Sequence, residues 1–270
     1  CSPKYSSGQL LHVCKETGLV RAKELRSAEA IAKAWSNKVY SDDFGQDTYT
    51  ARVPAVKARQ VYVADFADVN IGLKDKILCD IGAGEGQFLE IITSDDYKAK
   101  AFGIEPSEKN CIALSGNNFK NFNGTIEAWG KSDQFEANKF DIVTIMWTLV
   151  NSYSCLDMVN IAYKMLKPGG YIVVAEGSRI LVPFKKPLHM YFSPLPGDLH
   201  PYHFSANSLT NLLKVNNFKI SHINRYMDSD ILCIIGKKVQ KLENPNYEVD
   251  NYEDVLSFFE RWDKETMFYK

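Results

Sequence analysis

Two acids and three glycines supply the first chemistry. In 77-ILCDIGAGEGQFLEII-92 an apolar run ends at Asp80, passes Gly82, Gly84 and Gly86, then turns apolar again at helical spacing. Glycines at such a turn let the backbone bend tightly and approach a ligand with no side chain between. A dinucleotide loop reads G-x-G-x-x-G and needs its third glycine at position 87, which is Gln here. No Gly-Lys-Ser/Thr follows, so a Walker-type phosphate loop is excluded. A second acid, Glu105, closes the next apolar run. A carboxylate there can accept hydrogen bonds from two vicinal ribose hydroxyls. The plainer alternative is a solvated acid at a strand end, but two acids in register with the loop favour a nucleoside.

Groups that could take a proton lie further on. His200 and His203 stand in 200-HPYHFSANSL-209, and Glu176 ends the run 171-YIVVAEG-177. An imidazole titrates near neutrality and suits a general base or a hydrogen bond to substrate. A histidine bonded to backbone at the start of a helix would look the same in sequence.

These residues need a layered scaffold to bring them together. Strands are expected at 77–81, 101–105, 124–129, 140–147 and 171–177. Helices are expected at 86–93, after Ser107, and at 154–166, where Pro168-Gly169-Gly170 ends the last one. Regular alternation with near-continuous apolar strands implies a parallel sheet covered on both faces. A helix at 206–216 precedes strands at 218–227 and 230–238, whose short connection forces an antiparallel hairpin. The expected fold is therefore α/β: a seven-stranded, mostly parallel sheet with an antiparallel C-terminal hairpin. Residues 1–26 read as irregular. Helices from Ser27 and after Pro54 complete a cap segment, 1–72, ahead of a main domain, 73–240. The stretch 178–205 breaks the rhythm and reads as a binding loop at the functional edge, the place for substrate recognition. The tail, 241–270, ends in a helix whose Phe258, Phe259 and Trp262 would pack on the core or form a homodimer.

Bulk properties narrow the partners. Lys+Arg number 32 against 33 Asp+Glu, so the basic excess typical of nucleic-acid binding is missing. No apolar run approaches a membrane span, and no basic-then-apolar leader pattern is present. Six irregularly spaced cysteines argue for a reducing, cytoplasmic compartment rather than a disulfide framework.

The order Asp80-x-Gly82-x-Gly84-x-Gly86, Glu105, 139-KFDIVTIMWTLVN-151 and 165-MLKPGGYIVVAEGS-178 resembles the class I, Rossmann-like S-adenosylmethionine-dependent methyltransferases. That resemblance implies S-adenosylmethionine as cofactor, with Gly82, Ala83 and Gly84 against its methionine part, Asp80 near its amino group and Glu105 on its ribose. It further implies that Pro106, Glu127 and Ala128 flank the adenine, that Met146 and Trp147 complete the pocket, and that Tyr49 folds over the methionine carboxylate. Many relatives carry Leu-x-His where this chain has 149-LVN-151. The segment 200–209 resembles methyltransferases acting on sugar nucleotides and surface-glycan precursors, which implies a small, phosphorylated acceptor, O- or C-methylated, with Arg179, Lys185 and Lys186 as candidate phosphate contacts. His200, His203 or Glu176 would serve as base, with His189 and Tyr202 as weaker candidates. No Asp/Asn-Pro-Pro-Tyr/Phe or Pro-Cys follows the fourth strand, against DNA-base chemistry. Cys1 and 14-CKETGLV-20 resemble a zinc ribbon lacking half its thiolates, so no metal is expected. A non-catalytic adenosyl-binding protein and a nicotinamide-dependent oxidoreductase stand as alternatives.

Overall fold

The glycine stretch enters the sheet at its centre, and everything else is arranged around that strand. The computed structural model describes residues 11–25, 27–37, 54–177, 180–182, 188, 200–225 and 231–266. In chain order the elements are β1 (Leu11–Val13), β2 (Val20–Ala22), α1 (Ala28–Asn37), α2 (Pro54–Ile71), β3 (Ile77–Ile81), α3 (Gln87–Thr93), β4 (Lys100–Glu105), α4 (Glu108–Gly116), β5 (Lys120–Asn123) and α5 (Ile126–Trp129). Then follow β6 (Phe140–Met146), a 3₁₀ turn (Leu149–Asn151), α6 (Cys155–Met165), β7 (Leu166–Glu176), β8 (Tyr202–His203), α7 (Ala206–Val215), β9 (Phe218–Ile223), β10 (Leu232–Lys238) and α8 (Tyr252–Thr266).

The main sheet runs β5-β4-β3-β6-β7-β10-β9. Pairs from β5 to β7 are parallel, and β10 is antiparallel to both β7 and β9. Alternation along β3 shows why both faces are covered. Cys79 and Ile81 belong to a core with α5, α6 and α7, whereas Leu78 joins α2, α3 and α4 on the other side. The order reverses beside β3, so a crevice opens beyond the carboxyl ends of β3, β4 and β6, the usual ligand position in such sheets.

Three local expectations are corrected. The strand expected over 124–129 lies earlier, at Lys120–Asn123, and 126–129 is one helical turn. Thr125 caps it, its Oγ1 accepting from Ala128 N at 3.2 Å, and Ile126 and Trp129 bury side by side at helical spacing. Strand β7 begins at Leu166, so Pro168-Gly169-Gly170 runs inside the strand's irregular start rather than ahead of it. The N-terminal stretch is not irregular: β1 and β2 pair, and β2 pairs onward with β8 through Val20↔His203 and Arg21↔Tyr202. Its turn is closed by backbone bonds, Gly18 N to Cys14 O and Cys14 N to Leu19 O, both 2.9 Å.

Helix α8 completes that small unit. Val255, Phe259 and Trp262 are buried with Leu11, Val20, Ile180 and Leu188. Residues of the first segment, Ile180 and Leu188, and the tail thus share a core across the boundaries expected at 72 and 240. The helix's buried apolar face is covered by its own chain. Among the described residues, no helix is long and apolar enough to cross a membrane, and no group of three His, Cys, Asp or Glu could hold a metal ion.

Candidate active site

The three glycines face three different things. All have left-handed φ (+80° at Gly82, +56° at Gly84, +89° at Gly86). A Cβ on Gly82 would lie 2.2 Å from Thr148 Oγ1, and one on Gly86 2.6 Å from Leu114 Cδ2. A Cβ on Gly84 would meet nothing within 4 Å. Gly82 is needed where the loop packs under the turn after β6, Gly86 where α3 begins against α4, and Gly84 alone fronts open space.

That space is a cavity of about 460 Å³, whose wall includes Gly82, Ala83, Gly84, Glu105, Pro106, Glu127, Met146, Trp147 and His200. The structure therefore brings together nine of the residues expected at the site. Glu105 fixes its edge. Its Oε2 accepts from Gly84 N at 2.9 Å, and its Oε1 accepts from Ser107 N at 2.9 Å and Asn110 Nδ2 at 3.3 Å. A carboxylate has about four acceptor positions, so three donors leave roughly one for a ligand hydroxyl. Burial raises the Glu105 carboxyl above the ordinary range, and these three donors oppose the shift.

Other expected residues stand elsewhere. Asp80 is buried within the sheet, accepts from Thr144 Oγ1 at 2.5 Å, and is absent from the cavity wall. Burial pushes its carboxyl up to about 7, with the charge of Glu105 adding to the effect. Ala128 is exposed outside the wall while its neighbour Glu127 reaches it. His203, expected as a base, is buried in β8 opposite Val20 and does not line the cavity, so only His200 of the two reaches it. His203 is held in β8 by its pairing with Val20, whereas His200 precedes the strand. Glu176 is also off the wall: it is 1% exposed, and its Oε1 accepts from Leu149 N at 2.9 Å. Tyr202 points its hydroxyl to Tyr153 O at 3.1 Å. Tyr49, Arg179, Lys185, Lys186 and His189 lie outside the described residues.

The sequence reading missed several wall residues. Ala28 and Ile31 come from α1, and Arg59 and Gln60 from α2, so these helices roof the crevice. Their position just ahead of β3 was the available hint. Asn151, Ser152 and Tyr153 line it after the 3₁₀ turn. Asn151 Nδ2 donates to Trp147 O at 2.9 Å, and its buried Oδ1 has no partner among the described residues. Trp147 itself holds φ +50°, a strained left-handed conformation for a bulky residue.

Comparisons with known proteins agree on the fold. A family model described as a methyltransferase domain matches residues 57–223. The demethylmenaquinone methyltransferase of Lactococcus lactis is 33% identical over 95 residues, covering 35% of this chain and 33% of that protein. The chain thus matches about a third of that curated relative's length. Among solved structures, the 1,6-didemethyltoxoflavin-N1-methyltransferase of Burkholderia thailandensis, with 1,6-didemethyltoxoflavin and S-adenosylhomocysteine bound, superposes with a TM-score of 0.56 at 12% identity, covering 85% of this chain and 99% of its own. A SAM-dependent methyltransferase of Thermotoga maritima gives 0.53 at 18% identity, over 72% and 97%. At such identities the solved structures speak for the shared fold alone.

Proposed function

The chain belongs to the methyltransferase-domain family, and on that premise we propose that it transfers a methyl group from S-adenosylmethionine to a small acceptor entering the cavity beside His200. S-adenosylmethionine is the family's methyl donor, and the residues present fit it. Gly84 leaves the wall open, Glu105 keeps an acceptor position for a ribose hydroxyl, and Pro106, Glu127, Met146 and Trp147 supply mixed apolar and polar flanks. When bound, the cofactor supplies a methyl on an activated sulfonium carbon, ready for in-line displacement.

The chain's own work is then positioning. Glu105 and the Gly84 amide fix one end of the cavity, and the α1 and α2 residues Ile31 and Arg59 close it from above. His200 lines the wall and could accept a proton from a hydroxyl or amine acceptor, or hydrogen-bond it. Glu176 and His203 have no access to the cavity in this arrangement, so they are poor candidates for that step. Asp80, buried behind the loop, supports the sheet rather than touching ligand. A sugar nucleotide or other glycan precursor is our proposed acceptor class, supported by the resemblance of 200-HPYHFSANSL-209 and by the placement of His200 on the wall.

The observation that carries the reading is Glu105, buried at the crevice beside an open Gly84 and holding three N–H donors. Calorimetric titration with S-adenosylhomocysteine and with NAD tests it. Binding of the thioether nucleoside alone is expected; binding of NAD alone would replace this function with nicotinamide chemistry.

A further inference from the structure

We propose that Glu176 is a positioning residue, whose side chain holds the turn Leu149–Asn151 and so sets one wall of the cofactor cavity without touching the cavity itself. The inference rests on the cofactor reading above.

Strand β6 leaves the sheet late. Trp147 N still bonds Ala175 O at 2.8 Å, so the chain remains tied to β7 for one residue past Met146. Beyond that point no strand partner remains, and the first amide N–H groups of a 3₁₀ turn have no acceptors within the turn. Glu176, the last residue of β7, takes over the first of them: its Oε1 accepts from Leu149 N at 2.9 Å. A side chain from one strand thereby caps the turn that follows its neighbour.

The turn is connected to the site in two ways. Thr148, just ahead of it, stands over Gly82 so closely that a Cβ there would overlap its hydroxyl. Asn151, at its end, donates to Trp147 O and lines the cavity with Trp147 and Thr148. The left-handed φ of Trp147 is flanked by bonds at its own N and O. Releasing Leu149 would free Thr148, Trp147 and Asn151 together, and with them the wall facing the glycine loop.

The same geometry speaks against Glu176 as a base. Its Oε2 is buried with no partner among the described residues. Burial pushes the carboxyl up to about 8, so near neutrality it is mostly protonated and accepts through one oxygen. A neutral acceptor suffices to hold a backbone N–H, so an amide of the same shape should replace it.

The experiment compares Glu176→Gln, Glu176→Ala and Glu176→Asp, each checked by circular dichroism and titrated with S-adenosylhomocysteine. Glu176→Gln should bind within about threefold of the wild type, whereas Glu176→Ala should bind about 10-fold or more weakly, the scale of one lost buried hydrogen bond. Should Glu176→Ala fail to fold, Glu176→Asp takes its place: the shortened side chain should weaken binding by a similar factor. A folded Glu176→Ala with wild-type affinity would overturn the proposal, as would a Glu176→Gln as weak as Glu176→Ala. Absence of binding by the wild type would instead strike the cofactor reading.

Discussion

Gly82→Ala and Gly84→Ala should separate stability from ligand binding, although the glycines are two residues apart. Each change forces a side chain into a left-handed backbone, which costs about 1–2 kcal/mol. At Gly84 that is the whole cost to the fold, because the new Cβ meets nothing within 4 Å. For a domain of this size, 1 kcal/mol corresponds to roughly 2–4 °C in melting temperature. At Gly82 the Cβ would also lie 2.2 Å from Thr148 Oγ1 and 2.7 Å from its Cγ2. Thr148 cannot swing away freely, since its hydroxyl donates to Met146 O at 3.0 Å. Overpacking adds about 1–3 kcal/mol, so Gly82→Ala should melt well below Gly84→Ala. Binding should run the other way relative to stability. The added methyl at Gly84 projects from the cavity wall beside the Gly84–Glu105 bond, and S-adenosylhomocysteine affinity should fall at least about tenfold, or ~1.4 kcal/mol. Differential scanning calorimetry and isothermal titration on the two variants measure both quantities. A Gly84→Ala protein that binds like wild type would mean that no ligand approaches that glycine. A Gly82→Ala protein melting with Gly84→Ala would mean that Thr148 does not press on the loop.

Other outcomes follow from the same geometry. Glu105→Ala should weaken S-adenosylhomocysteine binding by about 2–3 kcal/mol through lost charge-assisted hydrogen bonds, and unchanged affinity by titration would place the ribose elsewhere. Asp80 rises from 3.8 to about 7 and Glu176 from 4.5 to about 8 on folding, so the folded chain retains protons that the unfolded chain has released. Their contribution to stability is therefore present at low pH and is lost between about pH 4 and 8; Asp80→Asn should flatten the lower part of that fall in ligand-free melting curves. Trp262→Ala should cost about 3–5 kcal/mol, because Trp262 is fully buried among residues from both ends of the chain; an unchanged melting temperature would remove α8 from the fold's stability.

Much of the central sheet and its glycine loop was legible because their signals are local. Near-continuous apolar runs marked β3, β4 and β6, period-3.6 patterns marked their helices, and the short link before β10 forced the hairpin. The motif positions then brought Gly84, Glu105, Pro106, Glu127, Met146 and Trp147 to one wall. Where the reading failed, it lacked a partner. Residues 124–129 alternate well enough for a strand, but Thr125 as a cap and the burial of Ile126 with Trp129 make a helical turn. His200 and His203 look equivalent in sequence, and only the fold puts the first on the cavity wall and buries the second in β8 opposite Val20.

By itself the sequence determined the central sheet, the glycine loop and the acid beside it, because each is written in neighbouring residues and their turn chemistry. The tertiary structure alone decided which glycine faces open space, that Glu176 caps a turn from another strand, and that Leu11 and Val20 share a core with Ile180, Leu188 and helix α8. Those are contacts between residues far apart in sequence. A three-residue strand or a buried carboxyl has no periodicity to announce it, and its role exists only once the partner has been brought alongside.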